Sequence, residues 1–90
     1  MSSDVSITLQ NTDDGRGIVA AIVEDNPAAK ISSYPAMTKI DCPDRLVMNR
    51  STIEAKLGRD FDLHELNLSM VSISGGVDED DDRLLLAWGA

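Results

Sequence analysis

The chain has 90 residues, an apolar fraction of 42% and a formal net charge of −8 from 16 acidic and 8 basic residues. This length predicts one domain, residues 1–90, with a single small core. The acidic charge disfavours binding to nucleic acid or to an anionic membrane. The single cysteine excludes an internal disulfide, and no apolar run approaches the roughly 20 residues of a membrane span. Because no signal peptide is recognisable, we expect a cytoplasmic protein, with residues 1–4 disordered.

The first third of the sequence predicts a strand followed by a helix. Val5–Leu9 alternates apolar and polar residues, as expected of a strand with one buried face. Between residues 18 and 23 the apolar residues fall on one helical stripe. Thr12 or Asp13 is placed to cap the start of this helix, and Pro27 ends it.

The middle of the chain predicts strands joined by turns. An extended piece containing Ile31 is interrupted at Pro35. The apolar segments Met37–Ile40 and Leu46–Met48 then flank the turn-forming residues Asp41–Asp44. We therefore expect these two segments to pair with each other as a hairpin.

The last part of the chain predicts a second helix and further strands. Ser51–Glu54 matches a capping box, and Gly58 is suited to close the helix in the left-handed conformation. Asp62–Glu65 repeats the capping pattern and suggests a short extra turn. Residues 66–73 alternate as a strand with a one-residue slip, which indicates a bulge. Arg83–Trp88 is apolar on both faces, as in the interior of a sheet.

These elements give the order β-α-β-β-α-β-β. Runs of strands separated by two main helices indicate an α+β domain in which the helices pack on a mixed β-sheet. No linker and no internal repeat divides the sequence.

The residue types needed for catalysis or tight metal binding are scarce. Cys42 and His64 are the only cysteine and histidine, too few for the usual nitrogen and sulfur ligand sets. No serine lies in a nucleophile elbow, and Gly15–Gly17 lacks the third glycine of a dinucleotide fingerprint. We therefore expect no catalytic residue, no cofactor-binding residue and no metal ligand in this chain.

The acidic run Asp78–Asp82 leaves several interpretations open. Calcium loops place their oxygen ligands at alternate positions around a glycine, whereas here the acids are contiguous and both glycines precede them. Neighbouring like charges repel by about 1 kcal/mol even in water, so the run must lie in an exposed loop or at a sheet edge. It either binds cations weakly, protects a sheet edge from pairing, or attracts a basic protein surface.

Four longer segments together resemble a known family. They are GRGIVAAIVEDNP, YPAMTKID, EAKLGRDFDLHEL and SISGGVDEDDDRLLLAW, in this order between Gly15 and Trp88. The sequence resembles the regulatory (effector or coupling) protein of multicomponent phenol hydroxylase, in the family of methane monooxygenase component B. Phenol hydroxylase serves the catabolism of aromatic hydrocarbons. The resemblance implies a non-catalytic, cofactor-free βαββαββ protein that binds a dinuclear-iron hydroxylase. It also implies that this protein couples O2 activation to ring hydroxylation.

The resemblance implies one further component, and a docking role predicts a set of contacts. A reductase with FAD and an iron–sulfur centre supplies electrons from NADH, and this chain meets the reductase at most indirectly. Docking uses apolar anchors with a polar rim, while acids steer association. The predicted contact residues are Tyr34, Pro35, Ala36, Met37, Asn49, Arg50, Ser74, Gly75, Gly76, Asp78, Asp80, Asp81 and Asp82. The alternative is a small acidic metal- or ligand-binding domain without a hydroxylase partner.

Overall fold

The computed structural model describes residues 4–88, which form seven strands, two main helices and two short helical turns. In chain order they are β1 (Asp4–Gln10), α1 (Asp13–Asp25), β2 (Lys30–Ser33), β3 (Met37–Pro43), β4 (Arg45–Asn49), α2 (Arg50–Leu57), a 3₁₀ turn (Leu63–Glu65), α3 (Leu66–Ser69), β5 (Met70–Ser74), β6 (Gly76–Glu79) and β7 (Arg83–Ala87). The α+β class and the two main helices are confirmed. Three strands, where the sequence predicted two, follow each main helix.

The strands form two antiparallel sheets instead of the single mixed sheet expected from the sequence. Sheet A has the order β2-β3-β1-β5, and sheet B has the order β4-β7-β6. The chain passes from sheet A to sheet B twice, at Asp44 and at Gly75, where φ is 66° and 136°. These positive φ values turn the chain sharply, and only glycine and a few polar residues adopt them readily.

The hairpin predicted between Met37–Ile40 and Leu46–Met48 is wrong. Strand β3 pairs with β1 and β2, while β4 pairs with β7 in the other sheet. The left-handed conformation of Asp44 directs the chain away from β3 rather than back along it. The hairpin in this region joins β2 to β3 through the turn that contains Pro35.

The core lies between the two sheets and the main helices. Strand β1 is an inner strand of sheet A and contributes Val5, Ile7 and Leu9, which are fully buried. Strand β7, which contains the apolar run, is the middle strand of sheet B, so its predicted position in the interior of a sheet is confirmed. Helix α1 packs against α2, β4 and β1. Burying each such aliphatic side chain stabilises the fold by about 1.5–3 kcal/mol.

Helix α1 begins and ends as its sequence predicts. The Thr12 hydroxyl accepts a hydrogen bond from the Gly15 N–H at 3.0 Å, which satisfies one donor of the first turn. A Cβ on Gly15 would lie 1.8 Å from the Gln10 carbonyl oxygen. Glycine at this position therefore permits the close passage between the end of β1 and the start of the helix.

The capping box predicted at Ser51–Glu54 is wrong. Helix α2 starts at Arg50, and its cap residue Asn49 makes no side-chain capping bond. The Arg50 N–H instead donates to the Asp82 carbonyl oxygen at 2.8 Å, so a distant turn supplies the capping acceptor. The left-handed Gly58 at the end of α2 is confirmed, with φ 71°.

The strand predicted over residues 66–73 begins only at Met70. The preceding Asp62 and Glu65 do form the predicted capping box, and the helical turns it starts continue through Leu66–Ser69. The predicted bulge is confirmed. Thr8 pairs with Ser72 and Leu9 with Met70, so one extra residue lies between the two partners on β5.

Residues 1–4 were expected to be disordered, but Asp4 is ordered in a strand. Asp4 is the first residue of β1 and pairs with Pro43, whereas residues 1–3 lie outside the described residues. Within residues 4–88, no helix has the length and apolar character needed to cross a bilayer.

Candidate functional site

An exposed apolar turn, Tyr34–Met37, joins β2 to β3. All four residues are exposed, with Tyr34 at 49% and Met37 at 37% of their full accessible surface. The Tyr34 N–H donates to the Met37 carbonyl oxygen at 2.9 Å and closes the turn. The predicted placement of these residues on an exposed turn is confirmed. Large apolar side chains held outside the core are the type of anchor that protein interfaces use.

The strand–helix corner, Asn49 and Arg50, is fixed on both sides. The Asn49 amide donates to the Asp25 carboxylate at 3.0 Å at the end of α1. The Arg50 side chain donates to Glu54 at 3.3 Å and to the Asp81 carbonyl oxygen at 3.4 Å. The corner predicted from the sequence is therefore present, and Arg50 connects it to the acidic segment.

Glu54 reinforces this corner from within α2. Its carboxylate accepts from the Phe61 N–H at 2.8 Å and from the Arg50 side chain. The Phe61 N–H, followed by Arg50, lowers the pKa of Glu54. The same contact with Glu54 raises the pKa of Arg50. The charged forms of both residues are thus favoured in the folded protein.

The acidic segment, Asp78–Asp82, runs along the exposed edge strand β6 and the turn that leads into β7. The Asp80 carboxylate accepts from the backbone N–H groups of Asp82 and Arg83, each at 2.9 Å. These two bonds lower the pKa of Asp80. The predicted exposure of the segment is confirmed, and Asp80 fixes the shape of the turn.

The glycine link, Ser74–Gly76, joins the two sheets and has a packing role. Gly75 has φ 136°, and a Cβ there would lie 3.0 Å from the nearest side-chain atom of Val5. Both features require glycine within the fold itself. Close backbone approach to a partner at this link stays a prediction.

A cleft of about 500 Å³ lies between the segment after α2 and the acidic segment. His64 spans it, with its Nε2 atom 3.4 Å from a Glu79 carboxylate oxygen. The cleft is lined by Arg50, Asp60, Phe61, Asp62, Leu63, His64, Glu65, Glu79, Asp80 and Asp81. Within residues 4–88, no three His, Cys, Asp or Glu side chains are arranged to hold a metal ion.

Cys42 is buried in β3, and burial raises the pKa of its thiol. A raised pKa disfavours the thiolate that a nucleophilic cysteine needs.

The structure thus joins two of the four predicted contact groups and leaves the other two in separate places. The corner and the acidic segment are connected through Arg50. The apolar turn belongs to sheet A, and the glycine link lies between the sheets. Sequence reasoning missed Asn11, whose side chain bonds to Tyr34 in the apolar turn and to Thr38 directly after it. A polar residue between a strand and a helix cap was the only local signal for it.

The two-sheet fold and these surfaces define a small α+β domain with an exposed apolar turn and an exposed acidic segment. The model of the MmoB/DmpM family matches residues 3–87. The chain is 46% identical over 88 residues to the stimulatory component DmpM of phenol 2-monooxygenase from Pseudomonas sp. (strain CF600), covering 98% of each chain. The chain belongs to the MmoB/DmpM family.

Solved structures agree with this assignment. A chain in a phenol hydroxylase–regulatory protein complex superposes with a TM-score of 0.91 at 47% identity, covering 97% of this chain and all of that one. The soluble methane monooxygenase regulatory protein B superposes with a TM-score of 0.76 at 16% identity, covering 97% of this chain and 66% of that one. The second likeness concerns the fold alone.

Proposed function

We propose that this chain is the regulatory component of a multicomponent phenol hydroxylase and has no catalytic centre of its own. It binds the hydroxylase component and couples O2 activation to hydroxylation of the aromatic ring. The observation that carries the proposal is the near full-length similarity to a stimulatory component of phenol 2-monooxygenase and to the regulatory protein of a phenol hydroxylase complex. The whole chain, residues 1–90, acts as one domain in the cytoplasm.

The physical means of regulation is differential affinity. A protein shifts the conformation of its partner only as far as it binds one state more tightly than another. The partner hydroxylase supplies the dinuclear iron that reacts with O2, and the reductase supplies electrons from NADH through FAD and an iron–sulfur centre. This chain contributes interaction energy and shape.

The exposed surfaces divide this work between affinity and rate. The apolar turn Tyr34–Met37 supplies anchors that lose water on docking. The acidic segment Asp78–Asp82 attracts basic groups on the hydroxylase and accelerates encounter. Arg50 holds the backbone of that segment near the start of α2 through the Asp81 and Asp82 carbonyl groups.

Reconstitution tests the proposal. Purified hydroxylase and reductase are supplied with phenol, O2 and NADH, with and without the chain, and product and consumed NADH are measured together. We expect the chain to increase both the hydroxylation rate and the ratio of product to NADH. The proposal is wrong if neither quantity changes at a saturating concentration of the chain, or if the chain alone converts phenol.

A further inference from the structure

We propose that Asn11 is a positioning residue that holds the apolar turn Tyr34–Met37 in the shape that docks on the hydroxylase. This inference rests on the proposed function and adds a residue that does not itself need to touch the partner. Asn11 lies between the end of β1 and the cap residue of α1, outside the turn it supports.

Asn11 makes three hydrogen bonds to the turn and its flank. Its side-chain amide donates to the Tyr34 carbonyl oxygen at 2.8 Å, and its backbone N–H donates to the Ala36 carbonyl oxygen at 3.1 Å. Its side-chain oxygen accepts from the Thr38 hydroxyl at 2.6 Å. One residue therefore fixes the start, the middle and the exit of the turn.

Asn11 is itself held in place. Its carbonyl oxygen accepts from the Arg16 side chain at 3.0 Å, and the preceding residue Gln10 pairs with Met37 across the β1–β3 ladder. The support for the turn therefore comes from the junction of a core strand with the main helix. The side chain at position 11 must both donate and accept a hydrogen bond. Asparagine does both, whereas an ionised aspartate has no donor.

The consequence for binding is preorganisation. An exposed four-residue turn with one internal hydrogen bond samples several shapes, and docking would have to select one of them. Bonds to Asn11 restrict those shapes before the partner arrives, so less entropy is lost on binding. Loss of the Asn11 bonds should therefore lower the affinity for the hydroxylase. The complex formed at saturation should be unchanged, because the same turn residues contact the partner.

Two substitutions at Asn11 test the inference. Asn11→Asp keeps an acceptor for Thr38 but removes the donor to Tyr34, and Asn11→Ala removes both side-chain bonds. Asn67→Ala is the matched control, since Asn67 is exposed on α3 and its side chain makes no hydrogen bond within the described part of the chain.

The main readout is the concentration of chain that gives half-maximal coupling in the reconstituted hydroxylase system. We expect both Asn11 variants to raise it about five- to thirtyfold, the factor that corresponds to the loss of one or two net hydrogen bonds. The coupling reached at saturation should match that of the unaltered protein. In the free protein, backbone ¹⁵N relaxation should show greater motion at the N–H groups of Tyr34, Ala36 and Met37 and unchanged motion in α1.

A double substitution distinguishes positioning from general destabilisation. If Asn11 acts through the turn, Tyr34→Ala should weaken docking less in the Asn11→Ala background than in the unaltered protein. Losses that simply multiply, or a half-saturating concentration for both Asn11 variants equal to that of Asn67→Ala, would overturn the inference while leaving the regulatory function intact. If the unaltered chain has no effect on coupling, the proposed function fails and this inference fails with it.

Discussion

Asn26 offers the sharpest test of what holds helix α1 against sheet B. The residue follows α1, is only 8% exposed, and its amide donates to the Ile22 and Val47 carbonyl oxygens, each at 2.7 Å. The Val47 N–H donates back to the Asn26 side-chain oxygen at 2.9 Å. Strand β4 is at the edge of sheet B, so Asn26 satisfies backbone groups that no neighbouring strand reaches.

Replacing Asn26 with alanine removes all three bonds at once. At about 1 kcal/mol net for each bond, the free energy of unfolding should fall by about 3 kcal/mol. A 90-residue domain has roughly 4–14 kcal/mol in total, so this is a large fraction. With a urea m-value of about 1.5 kcal/mol per M, the unfolding midpoint should drop by about 2 M.

Urea unfolding followed by far-ultraviolet circular dichroism measures this change. The control Asn67→Ala removes the same side chain from an exposed position, and its free energy of unfolding should stay within about 0.5 kcal/mol of the unaltered protein. A loss below about 1 kcal/mol for Asn26→Ala would contradict this prediction, because it would mean that water or rearrangement replaces these buried bonds.

Three further predictions concern the acidic segment, the start of α1 and acid sensitivity. Replacing Asp80–Asp82 with asparagine should slow association with the hydroxylase and flatten its salt dependence; stopped-flow rates unchanged across a salt series would contradict steering. Gly15→Ala places a Cβ 1.8 Å from the Gln10 carbonyl oxygen, so the free energy of unfolding in urea should fall by at least about 2 kcal/mol, and an unchanged midpoint would count against the tight junction. The pKa values of Asp80 and Glu54 are lowered on folding, so their contribution to stability is complete above the pKa values of the unfolded chain and is lost as the pH falls through the folded values. Urea midpoints should therefore decline from about pH 5 downward, less steeply for Glu54→Gln, and equal slopes for the two proteins would argue against this linkage.

Local signals predicted the elements that depend on local contacts. The cap at Thr12 and the left-handed Gly58 depend on residues close in sequence, and the bulge in β5 shows in the sequence as a local slip in alternation; all three are present. The predicted hairpin failed because the conformation of Asp44 moves the chain to another sheet. The capping box at Ser51 failed because a carbonyl group from the distant acidic turn already serves the helix start.

The same division applies to the candidate site. Exposure of the apolar turn followed from Pro35 and its neighbours, and exposure of Asp78–Asp82 followed from the repulsion of like charges. The support from Asn11 and the link through Arg50 depend on partners far apart in sequence, which periodicity and turn propensity do not reveal. The resemblance to regulatory proteins named the class of partner, while the bonds that shape the surface became visible only in the fold.

The proposed regulation requires that this chain bind one state of the hydroxylase better than another. The most direct test is its dissociation constant for the hydroxylase in the resting state and in the reduced state, measured at one ionic strength. Linkage requires the two constants to differ, and we predict a difference of about 5- to 150-fold. Equal constants, together with intact stimulation of coupling, would contradict the proposed regulation.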